Sequence, residues 1–299
     1  MLKHLAVALA LLLAATVHAQ SPYNDVAGRS APTVAAEREV QRPDGTKAME
    51  VVQVAPPRDT YGNAQGNQFD LAVDGAFEGQ TVAVLDLVGL DLAAPRAALH
   101  EKGFAMFTWR GAPAPAELEK KLALATQLWV ISSGSRQLTN AHIAVIKTWF
   151  DEGHGVYIWG DNDPLYADAN AVGKALFGVE MHGNTFGDHP VGLQRGTSKP
   201  GVRPNHLIST GIETVYEGIT IATIDDNQAL TPLIHGSAGN VVAAIYDKDN
   251  KRAIMDGGFT RLFYKWESAG TARYIKNAAA WLANHERFGD RNTKKTASK

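Results

Sequence analysis

The sequence predicts an α/β fold: a flavodoxin-like, mainly parallel sheet flanked by helices, with antiparallel strands added in the carboxyl-terminal half. Two observations predict it. Short β-rich runs alternate with helical patterns from residue 81 onward, as strands joined by helical crossovers require. After residue 206 the alternation gives way to successive strand-like runs, with a hairpin tip at Tyr246-Asp247-Lys248-Asp249-Asn250-Lys251.

The amino terminus reads as a cleavable signal peptide over residues 1–19. Met1-Leu2-Lys3-His4 is a short basic region, an apolar run follows to Val17, and Val17-His18-Ala19 ends in a small residue before Gln20. The apolar run is shorter than the roughly 20 residues of a spanning helix. Residues 20–75 form a lead-in rich in Pro and Gly, with Pro22, Pro32, Pro43, Pro56 and Pro57, and are expected to be partly disordered. Within it, residues 49–54 read as an added edge strand.

Residues 76–290 read as a single α/β domain. Its first strand is 81–87 (TVAVLDL), followed by a helix over 93–102 that Gly103 ends. A strand over 104–108, a helix over 115–125 and a strand over 127–132 (QLWVIS) come next. Thr139 caps a helix that sets Ile143, Ile146, Trp149 and Phe150 on one face. Residues 155–159 (GVYIW) form the fourth strand, and Gly160-Asp161-Asn162-Asp163 turns into a helix with Pro164 at its first position. Residues 182–206 read as a loop. Strands are expected over 215–221, 230–235, 241–246 and 252–256, then a last helix over 268–285 and a basic tail over 291–299.

The charge balance excludes one class of partner. With 29 basic and 31 acidic residues the net charge is -2, which supplies no basic field for nucleic acid. The absence of cysteine removes disulfides, thiol nucleophiles and thiolate ligands. Beyond the signal peptide no segment is apolar enough to span a membrane.

In an open parallel sheet, ligands bind beyond the carboxyl ends of the strands. That rule selects Asp86, Ser133, Asp161 and Asn162 as a candidate ligand cleft, with Asp256-Gly257-Gly258 beside it. Arg261, in the glycine- and aromatic-rich segment that follows, joins it as the cation to answer the cleft's acids or clamp an anionic ligand. At the tight turn Asp161 is the candidate catalytic residue, and Asp163 before Pro164 reads as a helix cap. Asp161, Asp163, His182 and His189 are metal candidates by residue type alone, because imidazole and carboxylate suit zinc or manganese, while the chain has no HExxH or comparable spacing. Ser237 lies in a hairpin turn and lacks the G-x-S-x-G elbow. No cofactor is expected.

The strand ending Leu128-Trp129-Val130-Ile131-Ser132, the helix opening at Leu138-Thr139 and the Gly153-x-Gly155 entry to the next strand resemble the class I glutamine amidotransferase-like superfamily over residues 81–285. The resemblance is to its non-catalytic branches, such as the related domain of intraflagellar transport proteins. Active members carry a cysteine at the turn after the strand and a histidine-acid pair after the last strand. Here Gly160-Asp161-Asn162 and Asp256-Gly257-Gly258-Phe259-Thr260 stand in those places. The resemblance therefore implies the fold and argues against glutamine hydrolysis. The expectation is a periplasmic or secreted binding or interaction module of the cell envelope, with a small ligand or an envelope protein as partner. The alternative is a hydrolase, metal-assisted or not, built on the Asp161/Asp163 turn.

Overall fold

The computed structural model describes residues 21–266 and 269–289. The expected signal peptide (1–19) and basic tail (291–299) lie outside the described residues. From the amino end, β1 (Val34–Gln41) and β2 (Lys47–Val54) pair only with each other. An alternating series follows: β3 (Thr81–Asp86), α1 (Ala93–Glu101), β4 (Ala105–Arg110), α2 (Pro115–Leu122), β5 (Gln127–Ile131), α3 (Asn140–Asp151), β6 (Gly155–Trp159) and α4 (Ala167–Phe177). The second half brings β7 (Met181–Phe186), β8 (Pro190–Gly192), β9 (Gly201–Val202), β10 (Thr214–Tyr216), β11 (Thr220–Ile224), β12 (Thr231–His235), β13 (Val241–Lys248) and β14 (Lys251–Asp256). Helices α5 (Thr271–Leu282) and α6 (His285–Phe288) close the chain.

Eight strands form one sheet in the order β4-β3-β5-β6-β14-β13-β12-β9. The first five are parallel, and in chain order they read 2-1-3-4-5, the flavodoxin-like arrangement. The remaining three are antiparallel additions. Side chains alternate between two buried faces, as the twofold period of a strand demands. Val82, Val84, Trp129, Ile131, Tyr157 and Ile254 pack with Leu99 of α1 and with α5. Ala83, Leu85, Leu128, Val130, Val156 and Ile158 pack with α2, α3 and α4. Both faces of the parallel strands are thus covered by helices.

Thr139 caps α3 through a reciprocal capping box with His142, whose other ring nitrogen lies 2.6 Å from the Pro113 carbonyl oxygen. At the β13–β14 turn, Asp249 and Asn250 adopt positive φ values of 54° and 57°, the pair of left-handed residues that a tight two-residue hairpin needs.

Four expectations are corrected. Residues 49–54 are no edge strand of the main sheet, because β2 is consumed in its own hairpin with β1, Val34 opposite Val54 and Gln41 opposite Lys47. Pro164 does not open a helix. It follows a cis bond from Asp163, and the chain makes a further turn, Leu165 N–H to Asn162 O at 2.8 Å and Tyr166 N–H to Pro164 O at 2.8 Å, before α4 begins at Ala167. Residues 182–206 are not simply a loop, since β7 pairs with β11 and β8 with β10. Gly183, at φ 85°, sits where two residues of β7 oppose one of β11, which is how glycine in a bulge comes to resemble glycine in a loop. The last helix begins at Thr271 rather than at residue 268.

Around the hairpin, the lead-in is anchored to the body. Asp70, 1% exposed, lies 2.8 Å from buried Lys102, 2.7 Å from Lys276 and 2.7 Å from Arg273. These three cations hold its carboxyl below the usual range against the cost of burial. One buried carboxylate so ties the lead-in to both α1 and α5.

Candidate functional site

The carboxyl ends of β5, β6 and β14 converge on a sealed polar layer, with Asp86 of β3 buried beside it. Asp161 and Arg261 are 0% exposed, Asp86 1% and Ser133 7%; of the five predicted cleft residues only Asn162 reaches solvent to a larger extent.

Strand β6 delivers Asp161 into the interior. Its Oδ1 accepts the Asn162 N–H at 2.8 Å, and its Oδ2 accepts both the N–H of Thr260 at 2.7 Å and the Thr260 hydroxyl at 2.5 Å. Burial pushes this carboxyl up to about 6, while those hydrogen bonds and the Arg261 guanidinium pull the other way. Gly160 is required here for space: a Cβ would stand 2.5 Å from Met181 Sδ and 3.2 Å from Tyr166 Cβ. The turn is tight because β7 and the start of α4 press on it.

Strand β14 delivers Asp256 beside it. Oδ1 accepts from Arg261 Nη2 at 2.8 Å and from the Gly258 N–H at 3.1 Å, and Oδ2 accepts from the hydroxyls of Tyr274 at 3.0 Å and Tyr157 at 3.2 Å. Arg261 also donates to Gly258 O at 3.0 Å and Glu217 O at 3.1 Å. Its guanidinium lies 5.5 Å from the Tyr274 ring centre. Asp256 is thus a buried ion-pair partner whose carboxyl burial pushes up and Arg261 draws down.

The crevice between β3 and β5, where the strand order reverses and such sheets hold their ligands, is filled from within. Gln137 donates to Leu87 O at 2.7 Å and to the Ser133 hydroxyl at 3.1 Å. Asp168 Oδ1 accepts the N–H groups of Gln137 and Leu138, each at 2.8 Å. Ser132 accepts the N–H groups of Asp168 at 2.9 Å and Ala169 at 3.1 Å, satisfying the start of α4.

The four metal candidates are not gathered. Asp163 accepts the Tyr166 hydroxyl at 2.9 Å instead of capping a helix, and exposed His182 pairs with Asp225 at 3.0 Å. His189 is exposed, next to β8. Among the described residues no three His, Asp or Glu side chains stand close enough to hold a metal ion. Ser237 sits in the β12–β13 turn as expected, its hydroxyl donating to buried Glu217 at 2.7 Å.

One strand end is open. At the edge of the sheet, Asp86 at the end of β3, Thr108 and Arg110 of β4, and Leu90, Leu92 and Arg96 around the start of α1 line a groove of about 920 Å³. Residue-type reasoning missed Arg110, Gln137, Asp168, Thr260 and Glu217. The strand-end rule that selected Asp86 selects Arg110 too, once β4 is known to run in register with β3 to that residue.

No protein-family model matches the chain, and no curated protein matches it. Among solved structures it is similar to a GMP synthase-like protein from Thermoplasma acidophilum, at 13% identity and a TM-score of 0.47, over 71% of this chain and 98% of that one. A ThuA-like protein from Bacteroides uniformis ATCC 8492 gives 11% identity and a TM-score of 0.42, over 69% of this chain and 91% of that one. An exo-β-1,4-mannosidase from an Opitutaceae bacterium gives 11% identity and 0.40, over 69% of this chain and 36% of that one. Likeness at these levels concerns the backbone path and transfers no activity.

Proposed function

We propose that this chain is a non-catalytic amidotransferase-like binding or interaction module, exported to the cell envelope. The observation that carries the reading is the sealing of Asp161, Ser133, Asp256 and Arg261 by partners from the protein itself. A nucleophile or general base must come within hydrogen-bond reach of its substrate. Asp161 instead has both carboxylate oxygens engaged by Asn162 and Thr260. The turn that an amidotransferase reserves for cysteine holds no thiol in this chain.

A hydrolase built on Asp161 is the competing reading, favoured by a single observation: burial brings that carboxyl up to about 6, close to the pH of general acid-base work. Chromogenic ester, amide, glycoside and phosphoester substrates decide between them. The module reading expects no turnover above buffer, and turnover that Asp161→Asn abolishes would sink it. Export is tested by fractionating producing cells and sequencing the amino end, which is expected to begin at Gln20.

A further inference from the structure

Three properties meet in the groove at the sheet edge. Asp86 is buried, and its Oδ1 accepts the N–H groups of Gly89 at 2.8 Å and Leu90 at 3.1 Å, but its Oδ2 has no hydrogen-bond partner. A buried polar atom left unpaired is uncommon and calls for a donor. Arg110 is the register partner of Asp86 on the neighbouring strand, so both side chains leave the same face of the sheet. It is exposed and has no partner among the described residues. Because β4 is the edge strand, nothing further in the sheet covers this side.

Arg96 is already engaged, donating to Met106 O at 2.6 Å and to the Thr108 hydroxyl at 3.3 Å. The groove also carries the carboxylates of Asp91 and Glu101, but Glu101 is held by Lys276 at 3.1 Å and Asp91 Oδ1 by the Ala93 N–H at 3.0 Å, which leaves Arg110, among the described residues, as the unpaired cation on its wall. A hydroxyl supplies the missing donor without adding a positive charge, and the free Arg110 guanidinium suits a carboxylate. Leu90, Leu92, Ala93 and Ala97 give the remaining wall its apolar surface for C–H groups.

We propose that this groove binds a small polyhydroxylated carboxylate, of the uronic or aldonic acid kind, with a hydroxyl donated to Asp86 and the carboxylate held by Arg110. The proposal rests on the binding-module reading and names its ligand class. Its failure is separable from failure of that reading: an empty groove leaves the sealed layer non-catalytic, whereas hydrolysis in the substrate screen leaves the groove as it is.

Titration calorimetry of the purified chain with D-glucuronate and D-gluconate tests it, with D-glucose lacking the anion, acetate lacking the hydroxyls and β-alanine offering an ammonium instead. The expected result is saturable binding of a sugar acid, with each control weaker by at least about tenfold. Arg110→Gln, at an exposed unpaired position, is expected to weaken binding by about tenfold or more. Asp86→Asn is expected to do the same, and if it fails to fold Arg110→Gln alone decides. Absence of saturation by either sugar acid, equal binding by Arg110→Gln, or tighter binding of β-alanine overturns the proposal.

Discussion

Two strand ends of one sheet treat a buried aspartate in opposite ways. At the end of β6, Asp161 receives three hydrogen bonds, from Asn162 and Thr260, and faces only protein. At the end of β3, Asp86 has one oxygen satisfied by its own loop and the other by nothing, beside an open groove. The difference follows from position. The parallel strand β6 lies between β5 and β14, and the segment after β14 folds over its end, whereas β3 is one strand from the edge. Central strand ends in this chain are closed over by protein, and the edge is where solvent reaches the sheet.

The largest expected effect breaks the sealed side. Arg261→Met leaves Asp256 buried without its cation, a class of change that costs about 3–5 kcal/mol. Urea unfolding measures it, and a loss below about 1 kcal/mol would mean that the layer is open to water.

Next comes a pH test of Asp161. Folding raises its pKa from 3.8 to about 6, so the fold favours the protonated form. Stability from this group is fully present below pH 3.8 and is lost as pH rises through about 6. Relative to Asp161→Asn, the parent should therefore gain about 2–3 kcal/mol on going from pH 7 to pH 4. A flat difference between the two proteins across that window would place Asp161 in water.

Asp86→Asn sharpens the contrast by its mildness. Asparagine keeps the acceptor that Gly89 and Leu90 use and removes an unpaired charge, so a change within about 1 kcal/mol is expected in the same unfolding assay. Arg110→Gln should fall within about 0.5 kcal/mol, as for other exposed positions, and a larger loss would show that the arginine has structural work to do.

The parallel half of the sheet was legible because its signal is local. Runs such as 127–132 and 155–159 are apolar and separated by helical spacing, and they reappear as β5 and β6 within a residue. The capping of α3 by Thr139 was legible for the same reason. The sealing of the cleft was not, because it depends on contacts distant in sequence. Thr260 reaches Asp161 across 99 residues and Tyr157 reaches Asp256 across another 99, and neither pair has a spacing that a sequence can advertise. Strand β7 was lost to a bulge whose glycine mimics a loop. Of the β1–β2 hairpin only residues 49–54 were read as a strand; β1 was lost because Glu37, Arg38 and Glu39 interrupt it, although Arg42-Pro43-Asp44-Gly45-Thr46 carried the turn between the strands.

That hairpin has a consequence for how the chain survives cutting. The segment before it is held by Asn24 N–H to Leu71 O at 2.8 Å, Gly211 N–H to Arg29 O at 2.8 Å and the paired hydroxyls of Ser30 and Ser209. The segment after it is held by Asn63 Oδ1, which accepts the N–H groups of Glu213 at 2.8 Å and Thr214 at 3.0 Å. The hairpin between is exposed and bonded chiefly to itself. Brief trypsin treatment should cut after exposed Lys47 and yield two fragments that run together on gel filtration and part only in denaturant. The protein then persists as a non-covalent pair, its amino-terminal piece retained by the body it was cut from.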